Sequence, residues 1–159
     1  MSDVSYDFSG KTALVTGGAT GIGRATAKAF AANGAKVMIG DIDPRAEETV
    51  AIIHQAGGEA DFTPTDVTDG AAVRALVEKT VGRFGGLHMA FNNAGIEMRN
   101  KPVHELTADD IAAVLGVDLV GVFYCIKHEF LAMKDAGGGN VTPLQPSINV
   151  ASNICIVVK

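Results

Sequence analysis

Basic side chains, cysteine and long apolar runs are all scarce in this sequence of 159 residues. Lysine and arginine together number 13 against 18 acidic residues, and the net charge of −5 argues against a nucleic-acid-binding surface. The two cysteines, Cys125 and Cys155, are far apart and lack a Cys-x-x-Cys partner, so neither a disulfide framework nor a zinc site is indicated. The four histidines have no metal-type spacing, and we predict no metal site.

No apolar run approaches the roughly 18 residues that cross a bilayer. The first ten residues also lack the basic and apolar regions of a secretory signal. We therefore expect a soluble, cytoplasmic protein that does not contact a membrane. With 47% hydrophobic residues the chain can bury one substantial core, so we expect a tail over residues 1–9 and a single domain over residues 10–159.

Short apolar runs alternate with helical patterns, and clusters of glycine, which accounts for 19 residues, separate them. We predict strands over residues 12–16, 36–40, 59–65, 87–91 and 147–152. Helices are predicted over residues 22–33, from the Asp43-Pro44 pair to residue 56, from Thr68 and Asp69 to residue 84, and from a capping box at Thr107 and Asp110 to residue 136. Strands joined by helical crossovers lie parallel, so the predicted fold is a doubly wound α/β sheet of the Rossmann type.

A glycine-rich loop joins the first predicted strand to the first helix between Thr16 and Gly23. Backbone N–H groups and the helix dipole make such a loop an anion site that accepts a pyrophosphate. The spacing of its glycines departs from the usual Gly-x-Gly-x-x-Gly fingerprint. Arg24 and Ala25 follow the loop where a nucleoside triphosphatase needs lysine and then serine or threonine, so triphosphate hydrolysis is disfavoured.

Asp41 closes the second predicted strand, 18 positions after Gly23. This is close to the separation of about 20 residues at which a carboxylate binds the ribose of a dinucleotide. The carboxylate would accept hydrogen bonds from ribose hydroxyls and its charge would repel a 2′-phosphate, although Arg24 follows the glycine-rich loop and Arg45 follows Asp41 by four positions. We therefore predict NAD in preference to NADP.

Three motifs, in order along the chain, resemble the short-chain dehydrogenase/reductase family. Its Thr-Gly-x3-Gly-x-Gly motif matches the glycine-rich loop, its Asp-Val segment matches Asp66 and Val67, and its Asn-Asn-Ala-Gly matches residues 92–95. The similarity covers residues 8–136, and Ser152 stands where the family has its catalytic serine. Each of the three motifs follows a predicted strand, at the edge of the sheet where ligands bind in open α/β folds.

The resemblance implies how a nicotinamide dinucleotide would be bound. By that likeness the pyrophosphate would be cradled by Gly17, Thr20, Gly21, Ile22 and Gly23. The adenosine ribose would bind Asp41, the adenine would be flanked by Asp66 and Val67, and the nicotinamide side would be lined by Asn93 and Gly95. Taken alone, Asp66 also fits a helix cap and residues 92–95 an ordinary turn, so these roles depend on the likeness.

The resemblance also implies hydride transfer between a nicotinamide and an alcohol or carbonyl carbon. In the family a tyrosine acts as acid and base, a lysine four residues later lowers its pKa, a serine orients the substrate oxygen, and an asparagine helps to relay protons. Here Ser152 takes the serine position, and Asp118 stands where the family has the asparagine. Neither Tyr6 nor Tyr124 has a lysine four residues later.

We therefore expect a Rossmann-type sheet truncated after its fifth strand, with two hypotheses for its function. The first is an NAD-dependent oxidoreductase of this family that acts on a small alcohol or carbonyl compound as part of a homo-oligomer. The second is a non-catalytic NAD-binding module or assembly partner, because the tyrosine-lysine pair is missing from this chain. A flavodoxin-like or methyltransferase function fits the fold but not the three motifs.

Overall fold

The computed structural model describes residues 6–97, 101–143 and 156–158, and its centre is a sheet with the strand order β3-β2-β1-β4-β5-β6. The strands are β1 (Thr12–Thr16), β2 (Lys36–Asp41), β3 (Glu59–Pro64), β4 (Met89–Asn92), β5 (Gly139–Pro143) and β6 (Ile156–Val158). The first five are parallel, and β6 is antiparallel to β5. The predicted Rossmann-type parallel sheet is confirmed.

Helices connect the strands and cover the sheet. They are α1 (Gly21–Ala32), α2 (Ala46–Gln55), α3 (Gly70–Phe84), α4 (Ala108–Leu115) and α5 (Val122–Asp135). A π-helical segment, Gly116–Gly121, joins α4 to α5 without a break, so the three form one long helical arm. Among the described residues no helix combines the length and the apolar character needed to cross a bilayer.

The central strand β1 is buried at all five positions, as a strand covered on both faces must be. Val15 and Val37 belong to the core cluster on the face that α1 and α2 cover. Leu14 and Met38 point the other way, into a second cluster with Leu76 of α3. The strand order reverses between β1 and β4, and this reversal opens a crevice at the carboxyl ends of the strands.

The fifth parallel strand differs from the prediction. It is β5 that pairs with β4, whereas the predicted strand over residues 147–152 lies outside the described residues. Gly137 and Gly138 have φ values of 88° and 121°, which turn the chain directly from α5 into the sheet. Pro143, which has no backbone N–H to donate, is the last residue of β5 and lies opposite Asn92.

The helical arm begins at the predicted capping box. The Thr107 hydroxyl accepts a hydrogen bond from the N–H of Asp110 at 3.2 Å, and the Asp110 carboxylate accepts one from the N–H of Thr107 at 3.1 Å. Lys101 Nζ lies 2.7 Å from the same carboxylate. Hydrogen bonds from Lys101 and Thr107 hold the pKa of Asp110 well below its usual range. The start of the arm is therefore fixed by reciprocal bonds.

The helical arm carries apolar residues on two faces. The face toward the sheet is buried at Cys125, Glu129 and Met133. The other face exposes a set of large apolar side chains, which we call the exposed stripe: Ile111, Leu115, Leu119, Val120, Phe123, Phe130 and Leu131. The apolar periodicity that predicts this helix therefore comes largely from a surface that the rest of the described chain does not cover.

Candidate functional site

The carboxyl ends of the first four strands border a cleft of about 610 Å³ at the crevice between β1 and β4. Of the ten residues predicted to bind a dinucleotide, nine line this cleft: Gly17, Thr20, Gly21, Ile22, Asp41, Asp66, Val67, Asn93 and Gly95. The tenth, Gly23, is buried in the first turn of α1. Residues from four separate loops of the sequence thus meet at one place in the fold.

Hydrogen bonds tie the glycine-rich loop to the turn after β4, in an arrangement of Thr16, Gly17, Asn93 and Ala94 that we call the Asn93 latch. Asn93 Nδ2 donates to the carbonyl oxygens of Thr16 at 3.1 Å and Gly17 at 3.0 Å. Thr16 Oγ1 also accepts hydrogen bonds from the backbone N–H groups of Asn93 and Ala94, each at 3.1 Å. The latch fixes the two walls of the cleft relative to each other.

Glycine is required at two points of close backbone approach. Gly17 has a φ of +69°, and a Cβ there would lie 2.8 Å from both Ala94 Cα and Asn93 Nδ2. A Cβ on Gly23 would overlap the carbonyl oxygen of Gly17 and lie 2.6 Å from Asn93 Nδ2. The loop therefore forms a cradle of backbone atoms, which is the shape that a pyrophosphate needs in order to approach the main chain.

The first turn of α1 supplies the positive end of this cradle. Thr20 is the N-cap residue, yet its side chain accepts no hydrogen bond from the N–H groups of that turn. These groups have no partner within the helix, and Gly21 and Ile22 line the cleft. No lysine or arginine in the described part of the chain lines it. An anion here would consequently bind backbone N–H groups at a helix N-terminus.

Asp41, at the end of β2, braces the loop from the opposite side. Its Oδ2 accepts from the N–H of Ala19 at 2.8 Å, and its Oδ1 accepts from the N–H of Asp43 at 2.9 Å. Each carboxylate oxygen has further acceptor capacity. Asp41 can therefore hold the loop and also accept hydrogen bonds from a diol in the cleft.

Two arginines, one after the glycine-rich loop and one after β2, are held by other carboxylates. Arg24 Nη2 lies 3.0 Å from Glu48 Oε2, and Arg24 Nε donates to Thr49 Oγ1 at 2.9 Å. Arg45 binds Asp43 Oδ2 through Nε at 2.9 Å and Nη2 at 2.6 Å. This pairing lowers the pKa of the Asp43 carboxyl and raises that of Arg45. Neither guanidinium lines the cleft.

Three isoleucines place apolar surface at the rim of the cleft. Ile22, Ile42 and Ile96 are 61%, 74% and 41% exposed and all line it. Side chains of this kind pack well against the flat faces of heterocyclic rings. Sequence reasoning identified Ile22 but missed the other two, although each directly follows a predicted site residue, Asp41 in one case and Gly95 in the other.

The Asp-Val segment after β3 forms a turn at the floor of the cleft. Asp66 Oδ1 accepts from the N–H of Thr68 at 2.9 Å and from its hydroxyl at 2.8 Å. Asp69 is the N-cap of α3, and its Oδ1 accepts from the N–H of Ala71 at 2.8 Å. Val67 is buried and lines the cleft. The Asp66 side chain thus shapes the turn instead of capping the helix.

Of the two residues predicted to take part in catalysis, one lies among the described residues and the other does not. Asp118 lies in the π-helical segment, and its Oδ1 accepts from the N–H of Ile96 at 2.9 Å. It therefore anchors the chain that follows β4, and its neighbour Val117 lines the cleft. Ser152 lies outside the described residues. Single π-turns within α-helices occur frequently at functional sites.

Known proteins resemble this chain over most of its length. A family model described as short chain dehydrogenase matches residues 11–157. The 2,5-dichloro-2,5-cyclohexadiene-1,4-diol dehydrogenase of Sphingobium indicum is 40% identical over 131 residues, which are 82% of this chain and 52% of that protein. The cis-4-hydroxycyclohexanecarboxylate dehydrogenase of Sinomonas cyclohexanicum is 39% identical over 145 residues, or 91% of this chain and 56% of that one.

A solved structure shows the same arrangement of elements. The short chain dehydrogenase/reductase from Burkholderia phymatum, in complex with NAD, matches with a TM-score of 0.81 at 34% identity. The match covers 87% of this chain and 50% of the solved one. The chain thus spans about half the length of the proteins it resembles.

Two glycine-to-alanine substitutions, one in the cradle and one on α3, should change the free energy of unfolding in opposite directions. Gly23→Ala places a methyl group against the Gly17 carbonyl oxygen, so we expect the free energy of unfolding to fall by about 1–3 kcal/mol. Gly82→Ala, on the exposed face of α3 with no heavy atom near the new Cβ, should raise it by roughly 0.5–1 kcal/mol. Urea unfolding of both variants measures this, and equal values for the pair would contradict the close approach.

Proposed function

The chain belongs to the short-chain dehydrogenase family, and from this premise we propose that it forms the dinucleotide-binding part of an NAD-dependent oxidoreductase. The reaction would move a hydride between the nicotinamide and the carbon of a small alcohol or carbonyl compound. One observation carries the proposal. The cleft joins a helix N-terminus, whose first N–H groups have no partner among the described residues, to a carboxylate at the end of β2. A dinucleotide has a pyrophosphate and a ribose diol to match these two features.

The roles of the chain's own residues follow from their positions. The backbone of Gly17, Gly21 and Ile22 would bind the pyrophosphate, and Asp41 would accept hydrogen bonds from the adenosine ribose. When bound, the nicotinamide supplies the hydride acceptor or donor. Asn93 would hold the wall of the cleft on the nicotinamide side through the Asn93 latch.

The flat groups of the dinucleotide would rest against the remaining predicted residues. Asp66 and Val67 would flank the adenine, and Gly95 leaves room on the nicotinamide side. By resemblance, Ser152 would orient the substrate oxygen. Asp118 would position the segment after β4 by holding the N–H of Ile96.

The charges around Asp41 favour NAD over NADP. A 2′-phosphate on the ribose would meet the carboxylate of Asp41, and Asp43 lines the same cleft. Arg24, which follows the glycine-rich loop, and Arg45, which follows Asp41, are engaged by Glu48 and Asp43. Releasing either guanidinium would leave its carboxylate partner without an ion pair. An unphosphorylated ribose is therefore the better fit.

A cyclic secondary alcohol, or the ketone formed from it, is the substrate class that we propose. The relatives from Sphingobium and Sinomonas are named for compounds with a hydroxyl group on a six-membered carbon ring. A second cleft, of about 550 Å³, shares Ile96 and Glu97 with the first. It opens between the turn after β4 and the start of the helical arm, beside the nicotinamide side of the proposed dinucleotide site.

A non-catalytic NAD-binding module is the second candidate. Neither Tyr6 nor Tyr124 has a lysine four residues later, so this chain does not present the acid and base pair that the family uses. Both candidate functions require the same dinucleotide site. They differ only in whether this chain catalyses hydride transfer.

Titration of NADH fluorescence, followed by a turnover assay with cyclic ketones, tests the proposal. We expect saturable binding of one NADH per chain. Absence of binding would overturn both candidates. NADH oxidation by this chain with a cyclic ketone would exclude the non-catalytic module, whereas binding without turnover over a range of cyclic and open-chain ketones would favour it.

The charge of Asp41 should set the preference between the two dinucleotides. We expect the wild-type chain to bind NADH at least about tenfold more tightly than NADPH, which corresponds to about 1.4 kcal/mol. Asp41→Asn removes the charge but keeps one acceptor oxygen, so NADPH affinity should rise and the preference should shrink. Glu47→Gln, the same change of charge on an exposed side chain outside the cleft, is the control. An unchanged preference in Asp41→Asn would contradict this role.

We also propose that the exposed stripe is a contact between copies of this chain. Seven large apolar side chains lie exposed along one helical arm, and exposed apolar surface of this kind marks sites of interaction with other proteins. Pairing the arm with its equivalent in a second copy would bury them in an isologous contact. Members of the family resembled here commonly associate through long helices, which supports the same surface.

A single lysine in the exposed stripe should therefore weaken association. Phe123→Lys places a charge among the apolar residues of the stripe, and we expect the particle mass in solution to fall toward the 16.4 kDa of one chain. Val103→Lys, at a more exposed site outside the stripe, should leave the mass unchanged. Sedimentation equilibrium measures both, and a wild-type chain that sediments as a monomer would contradict the proposed contact.

A further inference from the structure

An acidic side chain is enclosed in the core at Glu129. It is 0% exposed and lies on the buried face of α5, one turn from Cys125 and one turn from Met133. Cys125 packs in a cluster with Val73 of α3, and Met133 belongs to the apolar cluster under the sheet. A glutamate in the middle of such a stripe is costly unless it is neutral or fully hydrogen-bonded.

Among the residues that the structure describes, the side chain of Glu129 has one polar partner, the last residue of β4. Asn92 is 1% exposed, and its Nδ2 donates to Glu129 Oε2 at 2.8 Å. Within the described part of the chain, the two other oxygens of this pair, Glu129 Oε1 and Asn92 Oδ1, are the buried side-chain polar atoms without a hydrogen-bond partner. Both are acceptors when the glutamate is ionised, so neither can satisfy the other.

A single proton on the carboxyl group removes this conflict. A protonated Oε1 would become a donor, and Asn92 Oδ1 is the buried acceptor on the partner residue that lacks one. The acid and the amide would then form a reciprocal pair with two hydrogen bonds, one in each direction. Burial also raises the pKa of Glu129, to about 7, which agrees with this protonation.

The groups around Glu129 do not offset a negative charge. Within the described residues, the thiol of Cys125 is the titratable group that interacts with it electrostatically, and the pKa of this thiol is itself raised, first by burial and then by Glu129. From β4 the facing group is the neutral amide of Asn92. The α3 residues in the clusters beside it, Val73 and Leu76, are apolar.

The position of Asn92 connects this pair to the dinucleotide site. Asn92 directly precedes Asn93, whose side chain and N–H make the Asn93 latch with Thr16 and Gly17. We propose that Glu129 is a positioning residue that is held protonated against Asn92, so that α5 fixes the end of β4 and, through it, the latch that shapes the dinucleotide cleft. The part of this inference that concerns dinucleotide affinity rests on the proposed function.

The proposal has a definite pH dependence. Because the folded chain holds the proton more tightly than the unfolded chain, stability is greatest below the ordinary glutamate pKa of 4.5 and falls as pH rises toward about 7. Above that value the folded chain carries a buried carboxylate whose Oε1 has no hydrogen-bond donor within the described residues. The end of β4, and with it the Asn93 latch, should then open more often.

Hydrogen exchange followed by mass spectrometry tests this without any ligand. We expect exchange at residues 93–95, corrected for the intrinsic effect of pH, to rise roughly tenfold between about pH 6 and about pH 8 in the wild-type chain. Exchange over residues 37–39 of β2 serves as the internal reference for global unfolding. The infrared carbonyl band of a protonated carboxylic acid should be present near pH 6 and absent from Glu129→Gln.

Three variants separate the positioning role from a general packing role. Glu129→Gln keeps an acceptor and supplies a permanent donor, so it should restore slow exchange and remove its pH dependence. Glu129→Leu fills similar volume without hydrogen bonds, so exchange at residues 93–95 should be fast at every pH. Glu78→Gln, the same acid-to-amide change on exposed α3, should behave as wild type.

The same pH dependence in Glu129→Gln as in the wild type, or absence of the acid band, would overturn the proposal. Exchange at residues 93–95 that is no faster than exchange at residues 37–39 at any pH would do so as well, because the turn after β4 would then open only with the whole chain. NADH titration of the same variants adds the functional readout: affinity should weaken over the same pH range in the wild type and stay constant in Glu129→Gln. If no variant binds NADH, the proposed function fails, while exchange and the infrared band still decide the role of Glu129.

Discussion

The candidate site depends on the close approach of two turns that lie far apart in the sequence. The glycine-rich loop after β1 and the turn after β4 touch backbone to backbone, at a distance that leaves no room for a Cβ at Gly17 or Gly23. Asn93 and Ala94 then donate four hydrogen bonds across the contact to Thr16 and Gly17. Without this contact the turn after β4 would not form the wall of the cleft that faces the N-terminus of α1 and the end of β2.

Much of the fold could be predicted from the sequence because the local residue patterns favour the same strands and helices that the parallel sheet contains. The first three strands and helices have apolar runs of the right length, with glycine, asparagine or aspartate at their ends. The capping box at Thr107 and Asp110 is present as predicted. The start of α2 is displaced to Ala46, since Asp43 binds Arg45 and shapes a turn instead of capping a helix at Pro44.

Other features depend on tertiary contacts that no local pattern reveals. β5 contains glycine and proline, which disfavour strands, and it forms because two glycines turn the chain from α5 onto the free edge of β4. Apolar periodicity does not distinguish a helix face that packs on the sheet from one that lies exposed. The sequence therefore predicts the helical arm but not which of its faces is buried. Glu129 has the charge that is typical of a surface residue. Only its spacing of four residues from both Cys125 and Met133 indicates that its position is buried.

The strand order has a consequence for synthesis on the ribosome. β1, α1, β2, α2 and β3 are contiguous in the sequence and can pair with each other as they emerge. The other edge of β1, however, pairs with β4, which begins only at Met89. At about 5–20 residues per second, that edge stays open for several seconds, with its backbone donors and acceptors available to any other strand. A nascent chain of this kind gains most from a chaperone that shields the growing sheet until β4 has been made.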